Sequence, residues 1–303
     1  MSGAPKAAID LGTNTALMVV GQRTNDQVDL LADEHAIVRL GQGVDAHGEL
    51  SCQAMDRACR QIAAYANRAQ SLGAEHIAAW GTSALRDATN RTVLIERVQR
   101  ACGIELRALS GTEEARLTFK GAAWGFDVSS PYAVVDIGGG STEIALGTAD
   151  QLAYSASFDI GAVRISERFF AHLPPPPHQI EQARQTLMTA LRSLPRLPTG
   201  ITVLGVAGTA IVLAAMDAQS DRFDDPALNG YYLPSERIHS LSEALLTLDY
   251  DALSTHSAIG TARADIIGAG ALILSAFVRK SGCPGIVVSR RGIRYALLEA
   301  MFS

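Results

Sequence analysis

The sequence predicts an α/β protein built from two similar lobes, and three observations carry that prediction. Strand-like apolar runs alternate with helix-like periodicity along almost the whole chain, the pattern of α/β architecture. A strand–Asp–Gly–hydroxyl motif occurs twice, as Ala-Ala-Ile-Asp-Leu-Gly-Thr-Asn-Thr from Ala7 to Thr15 and as Tyr-Ala-Val-Val-Asp-Ile-Gly-Gly-Gly-Ser-Thr-Glu from Tyr132 to Glu143. Asp10 and Asp136 hold the same place in the two copies, and a repeat at this scale indicates two half-molecules. The length, 303 residues, supports two domains, each able to bury a core. The expected division is 1–124 and 125–303, with a crossover from Ala122 to Ser130 and a ligand cleft between the lobes.

Taken in order, the first strand leads into two more, clearest at Leu17 to Gly21 and Val28 to Leu31, before Gly41-Gln42-Gly43 interrupts. Ser51 is placed to cap a helix on which Met55, Ala58, Ile62, Ala66, Ala69 and Leu72 recur at helical spacing. A buried strand, His76 to Trp80, ends in the polar run Gly81-Thr-Ser-Ala-Leu-Arg86 through Asn90. A helix over about Arg91 to Ala101 and a short strand over Ile104 to Leu109 follow. Ser110-Gly-Thr-Glu-Glu-Ala-Arg116 then places Glu113 and Glu114 in the first turn of a helix, where carboxylates complement the helix dipole.

In the second half, the apolar run Ala133 to Val135 delivers Asp136 to three glycines. Glycines permit close backbone approach to a ligand, and successive N–H groups in such a turn form an anion site. Ser141 and Thr142 add hydroxyls and Glu143 a second carboxylate. A carboxylate beside a phosphate cradle is repulsive without a divalent cation, so a metal is expected there. Strands over Glu143 to Leu146 and Leu152 to Phe158 and a helix near Ala162 to Ala171 come next, then an extended Pro174–Pro177 connector. A helix from about His178 to Leu194 and a strand, Ile201 to Val206, lead to Ala207-Gly208-Thr209, a third glycine–hydroxyl turn opening a helix. Ser220 to Leu233 reads as a loop, with Pro234 at a helix start. A helix over about Ala264 to Lys280 carries the small run Gly268-Ala-Gly-Ala271, and a strand at Ile286 to Ser289 and a helix over Gly292 to Met301 complete the pattern.

Composition narrows the classes. The net charge of −5 argues against general nucleic-acid binding. No run of about 18 apolar residues suits a membrane span and no signal-peptide core is evident, so a cytoplasmic protein without membrane partners is expected. Cys52, Cys59, Cys102 and Cys283 form no C-x-x-C pair and are expected as reduced thiols. Arg279, Lys280, Arg290, Arg291 and Arg294 concentrate positive charge late in the chain, and some of them are expected to line the path of a polyanion, the alternative being a solvated basic surface.

The four motifs around Asp10, Arg86, Glu114 and Asp136, in this order, resemble the exopolyphosphatase/guanosine-pentaphosphate phosphohydrolase family of the actin-like ATPase superfamily. The resemblance covers nearly the whole chain, including Gly208-Thr209 and Ser289 to Arg294. It implies two actin-like (ribonuclease H-like) lobes and metal-dependent release of terminal orthophosphate from inorganic polyphosphate, or from guanosine pentaphosphate. By resemblance the general base falls on Glu114, the phosphate-coordinating arginine on Arg86, and the Mg²⁺-associated carboxylates on Asp136 and Glu143, faced by Asp10. The phosphate loops fall on Gly12, Thr13, Asn14 and Thr15 and on Gly138, Gly139, Gly140, Ser141 and Thr142, with Gly208 and Thr209 as the third turn. The chain corresponds to the short, two-domain form, with room for a homodimer, a terminal helix (about 292–303) packed back on the first lobe, and lobe closure on ligand. Where the family often has Ser-Asp-x-Gly-Leu-Arg-Glu-Gly, this chain has Ser-Arg-Arg-Gly-Ile-Arg-Tyr-Ala from Ser289 to Ala296, an exchange that bears on substrate preference more than on chemistry. An actin-like kinase or ATPase, and a sensor that binds polyphosphate or guanosine pentaphosphate without turnover, are the rival readings.

Overall fold

A computed structural model describes residues 3–25, 27–128 and 131–302. The chain divides into two compact units, 1–124 with 293–303, and 125–292. Ser130, one end of the expected crossover, lies outside the described residues.

Unit 1 is organised on a five-stranded sheet, β1 (Lys6–Leu11), β2 (Thr15–Thr24), β3 (Gln27–Ile37), β4 (His76–Gly81) and β5 (Leu106–Ala108), in the order β3-β2-β1-β4-β5. The first three strands pair antiparallel; β4 and β5 continue parallel to β1. Alternation along β1 sends Ala7, Ile9 and Leu11 to one face and Ala8 and Asp10 to the other. The first face buries α2 (Cys52–Ser71) and α4 (Arg91–Cys102), which follow α1 (Val44–His47) and α3 (Ser83–Asp87) respectively. Ser51 Oγ accepts from Ala54 N–H at 3.2 Å and caps α2, whose buried Met55, Ala58, Ile62, Ala66 and Ala69 keep the predicted helical spacing. The second face is covered by α5 (Gly111–Ala122) and by the last helix, Ile293–Met301, through Ile293, Tyr295, Leu297 and Leu298. That helix is tied down by Arg294, whose Nε and Nη2 reach Asp33 at 2.8 and 2.9 Å. Arg294 is thus engaged by Asp33 in unit 1.

Unit 2 contains β6 (Tyr132–Ile137), β7 (Thr142–Gly147), β8 (Leu152–Phe158), β9 (Thr202–Val206), β10 (Tyr232–Pro234) and β11 (Gly285–Val288) in the order β10-β11-β9-β6-β7-β8. Reading from β8 to β11, pairing again runs antiparallel, antiparallel, parallel, parallel. The sheet of unit 1 therefore recurs, extended by one antiparallel edge strand, β10. Its core is built with α6 (Ala162–Phe169), α7 (Pro177–Ala190), α8 (Ala207–Asp217), α9 (Ser235–Leu245), α10 (Tyr250–Thr255) and α11 (Ile267–Ser281), with Phe277 and Ile273 fully buried. This is the mixed α/β, two-sheet fold expected, with α12 (Ile293–Met301) closing the chain.

Four elements go beyond the sequence reading: the short helices α1 and α3, β10 at the end of the expected loop, and α10. The helix expected from Ala264 begins at Ile267. All four cysteines are free thiols. No helix among the described residues is long and apolar enough to cross a membrane.

Candidate active site

Parallel strands align their carboxyl ends, and in open α/β sheets ligands bind beyond those ends. In unit 1 the ends of β1, β4 and β5 lead directly into the Gly12 turn, the Arg86 segment and the Glu114 segment. Three motifs far apart in sequence thus lie on neighbouring strands. Gly12 N–H donates to Thr15 O at 2.9 Å, and a Cβ at Gly12 would lie 2.9 Å from that oxygen, so the turn admits only glycine. Asp10, 6 % exposed, sits two residues before it.

Arg86 leaves α3 and reaches α5: its Nη1 donates to Glu114 Oε2 at 2.7 Å and to the Leu109 carbonyl at 3.1 Å. The two adjacent glutamates, equivalent in sequence, have separate tasks. Glu113 closes a capping box, accepting the Ser110 N–H and hydroxyl at 2.9 Å, and those bonds hold its carboxyl below the usual range. Glu114, one residue on, turns inward and is 7 % exposed. Burial pushes its carboxyl above the ordinary range, while the Arg86 guanidinium and the Thr82 hydroxyl pull it down. A buried carboxylate raised in this way has the character of a general base or acid working nearer neutrality. Ser110→Ala should lower stability by about 1 kcal/mol, the usual size of a lost cap; urea unfolding checks it.

In unit 2, Asp136 and Glu143 are direct cross-strand partners on β6 and β7, so their side chains share one face. Asp10 in unit 1 pairs instead with Leu17, so the second carboxylate has no counterpart in the first copy. Glu143, 2 % exposed, accepts from Ser157 Oγ at 2.6 Å. Facing carboxylates repel, and the pair suits a hard cation that takes oxygen ligands. Among the described residues no cluster of three or more acidic, His or Cys side chains is arranged for a metal.

The glycine turn follows Asp136, closed by Gly138 N–H to Ser141 O at 3.0 Å. Thr142 is fully buried and donates to the Ile160 carbonyl at 2.5 Å, so its hydroxyl braces the turn from inside. The third turn has Ala207 at φ +66°, a strained value for a non-glycine residue, with Gly208 and buried Thr209 after it. A Cβ at Gly270 would lie 2.3 Å from Thr209 Oγ1: the small-residue run in α11 makes room for this threonine.

Sequence reasoning missed Arg263. Its guanidinium lies 3.7 Å from the Phe223 ring centroid, and a Cβ at Gly208 would meet its Nε at 3.3 Å. Burial draws it down to about 10. A desolvated cation stacked beside a glycine–hydroxyl turn suits an anion, but a single arginine before an apolar helix carries no signal in sequence.

The chain matches the model of the Ppx/GppA phosphatase family over residues 19–301. It is 32 % identical over 305 residues to exopolyphosphatase 2 of Mycobacterium tuberculosis, covering 95 % of both chains. It is 36 % identical over 211 residues to the guanosine-5'-triphosphate,3'-diphosphate pyrophosphatase of Vibrio vulnificus, covering 68 % of this chain and 42 % of that one. The crystal structure of an exopolyphosphatase from Cytophaga hutchinsonii superposes with a TM-score of 0.89 at 26 % identity, covering 98 % of this chain and 97 % of the other.

Proposed function

This chain belongs to the Ppx/GppA phosphatase family, and on that footing we propose that it is an exopolyphosphatase releasing terminal orthophosphate from inorganic polyphosphate. The observation that carries the reading is the pair of buried Glu114 with half-buried Arg86 at 2.7 Å, set at the carboxyl ends of β4 and β5. Cleaving a phosphoanhydride is chiefly a matter of positioning, charge neutralisation and an activated water. Glu114 takes the proton of that water, and its raised carboxyl makes it a better acceptor than an exposed glutamate. Arg86 holds Glu114 in place, and its planar guanidinium matches a non-bridging phosphate oxygen. Gly12–Thr15, Gly138–Ser141 and Gly208–Thr209 contribute backbone and hydroxyl donors, and Arg263 a buried positive charge. Mg²⁺ held by Asp136 and Glu143 would neutralise charge on the transferred phosphoryl group.

Guanosine pentaphosphate is the second reading, favoured by the Vibrio vulnificus relative. The match covers 42 % of that protein but 95 % of the mycobacterial exopolyphosphatase, and this difference supports putting polyphosphate first. Phosphate release with Mg²⁺ from polyphosphates of several lengths, from guanosine pentaphosphate and from ATP tests the proposal. Release from polyphosphate without any nucleotide is expected. A strict nucleotide requirement would point to a kinase or ATPase, and tight binding without release to a sensor. Asp136→Ala and Glu143→Ala should each raise the Mg²⁺ concentration for half-maximal activity by about tenfold or more, the usual cost of disturbing a metal site. A Mg²⁺ titration at saturating polyphosphate checks it; an unchanged midpoint in both variants would remove them from the metal site.

A further inference from the structure

We propose that Arg164 is a positioning residue that aims the glycine turn of unit 2 at the substrate phosphate from behind, an inference that rests on the phosphohydrolase reading. The geometry is that of the turn's carbonyls. Ala162 N–H donates to Gly138 O at 2.9 Å, and Val163 and Arg164 N–H donate to Gly139 O at 2.8 and 3.1 Å. The Arg164 side chain then takes the third carbonyl, Nε donating to Gly140 O at 2.8 Å. All three glycine carbonyls are thus drawn toward the first turn of α6. A trans peptide sets the N–H of residue i+1 opposite the C=O of residue i. The N–H groups of Gly139, Gly140 and Ser141 must therefore point away from α6, side by side. Three parallel donors with no backbone acceptor form an anion cradle, and none of the three donates to a backbone carbonyl of a turn or loop among the described residues.

The approach is tight. A Cβ at Gly161 would lie 2.4 Å from Gly139 C and O and 2.5 Å from Gly140 C, so only glycine lets the two backbones meet. Helix N–H groups need acceptors, and here the turn supplies them: each element satisfies the other. Of the three carbonyls, Gly140 alone is held by a side chain. Its orientation, and with it that of the Ser141 N–H, depends on Arg164.

The same device stands behind the first turn. Val38 and Arg39 N–H both donate to Asn14 O at 2.9 Å, and Gly41 N–H to Thr13 O at 2.8 Å. Arg39 holds φ +47° there, and Arg57 steadies that segment with Nε to Val38 O at 2.8 Å and Nη2 to Arg39 O at 3.0 Å. There the turn carbonyls are held by backbone N–H groups, and Arg57 acts one step further back, on the segment that supplies those donors.

Arg164→Gln and Arg164→Lys test this in the full chain, with thermal unfolding to verify folding. A misaimed donor of this kind costs about 10–100-fold in kcat/KM, so Arg164→Gln should lose that much. Arg164→Lys, which keeps one donor for Gly140 O, should recover part of it. A structural role alone would not move the second readout: amide shifts of Gly139, Gly140 and Ser141 on titration with orthophosphate. In the wild-type protein all three should shift; in Arg164→Gln the Ser141 response should weaken most. Wild-type kcat/KM in a folded Arg164→Gln would overturn the proposal, as would lost activity with unchanged amide responses. If the wild-type protein releases no phosphate from polyphosphate, the phosphohydrolase reading fails, and the orthophosphate titration still reads the turn.

Discussion

Glu114→Gln is expected to lower kcat for polyphosphate by about 10² or more while leaving affinity nearly intact. Glutamine keeps the shape of the side chain and can still accept from Arg86 Nη1, now 2.7 Å from the carboxylate. What it loses is the basic oxygen. The pH profile provides an independent check. Because burial raises the Glu114 carboxyl, the acid limb of kcat/KM should lie above the ordinary carboxylate range, with activity rising as the group deprotonates. That limb should vanish from the residual activity of Glu114→Gln.

Arg86→Ala is expected to damage both KM and kcat, by about 10²-fold or more in kcat/KM, because two losses act together. A phosphate contact disappears, and Glu114 is left buried without its cation. The sign of the second effect is fixed: removing a positive charge from beside a carboxyl destabilises the ionised form and raises its pKa further. The acid limb should therefore move to higher pH than in the wild-type protein, and part of the lost rate should return on the alkaline side. Raising ionic strength should weaken the remaining binding. An Arg86→Ala profile displaced downward with its acid limb unmoved would mean that Arg86 does not set the state of Glu114.

Much of this was legible in the sequence because local rules and tertiary outcome agree. The duplicated motif points to two similar halves, and β6, apolar and short, reads as a buried strand. Hidden from the sequence was the direction of a side chain when neighbours share a turn. Glu113 and Glu114 are equally good first-turn residues, and only the contact with Arg86 separates capping from burial. Arg164 and Arg263 were passed over for the same reason: an arginine gains meaning from the carbonyl or ring it meets, and neither follows from spacing. The small run around Gly270 reads as permitting close packing, though not what packs there, while Gly161 carries no signal; each leaves room for an approach under 2.5 Å to a would-be Cβ. The strand β10 is three residues long and sits in a stretch rich in Asp, Gly and Asn, so turn composition outweighed it.

The most direct measurement compares binding and turnover in one variant: tripolyphosphate affinity of Glu114→Gln by calorimetry with Mg²⁺, beside phosphate release from the same samples. The account predicts affinity close to that of the wild-type protein, with release slowed by about 10² or more. Near wild-type release from Glu114→Gln would contradict it, leaving Glu114 as a buried partner of Arg86 and no more.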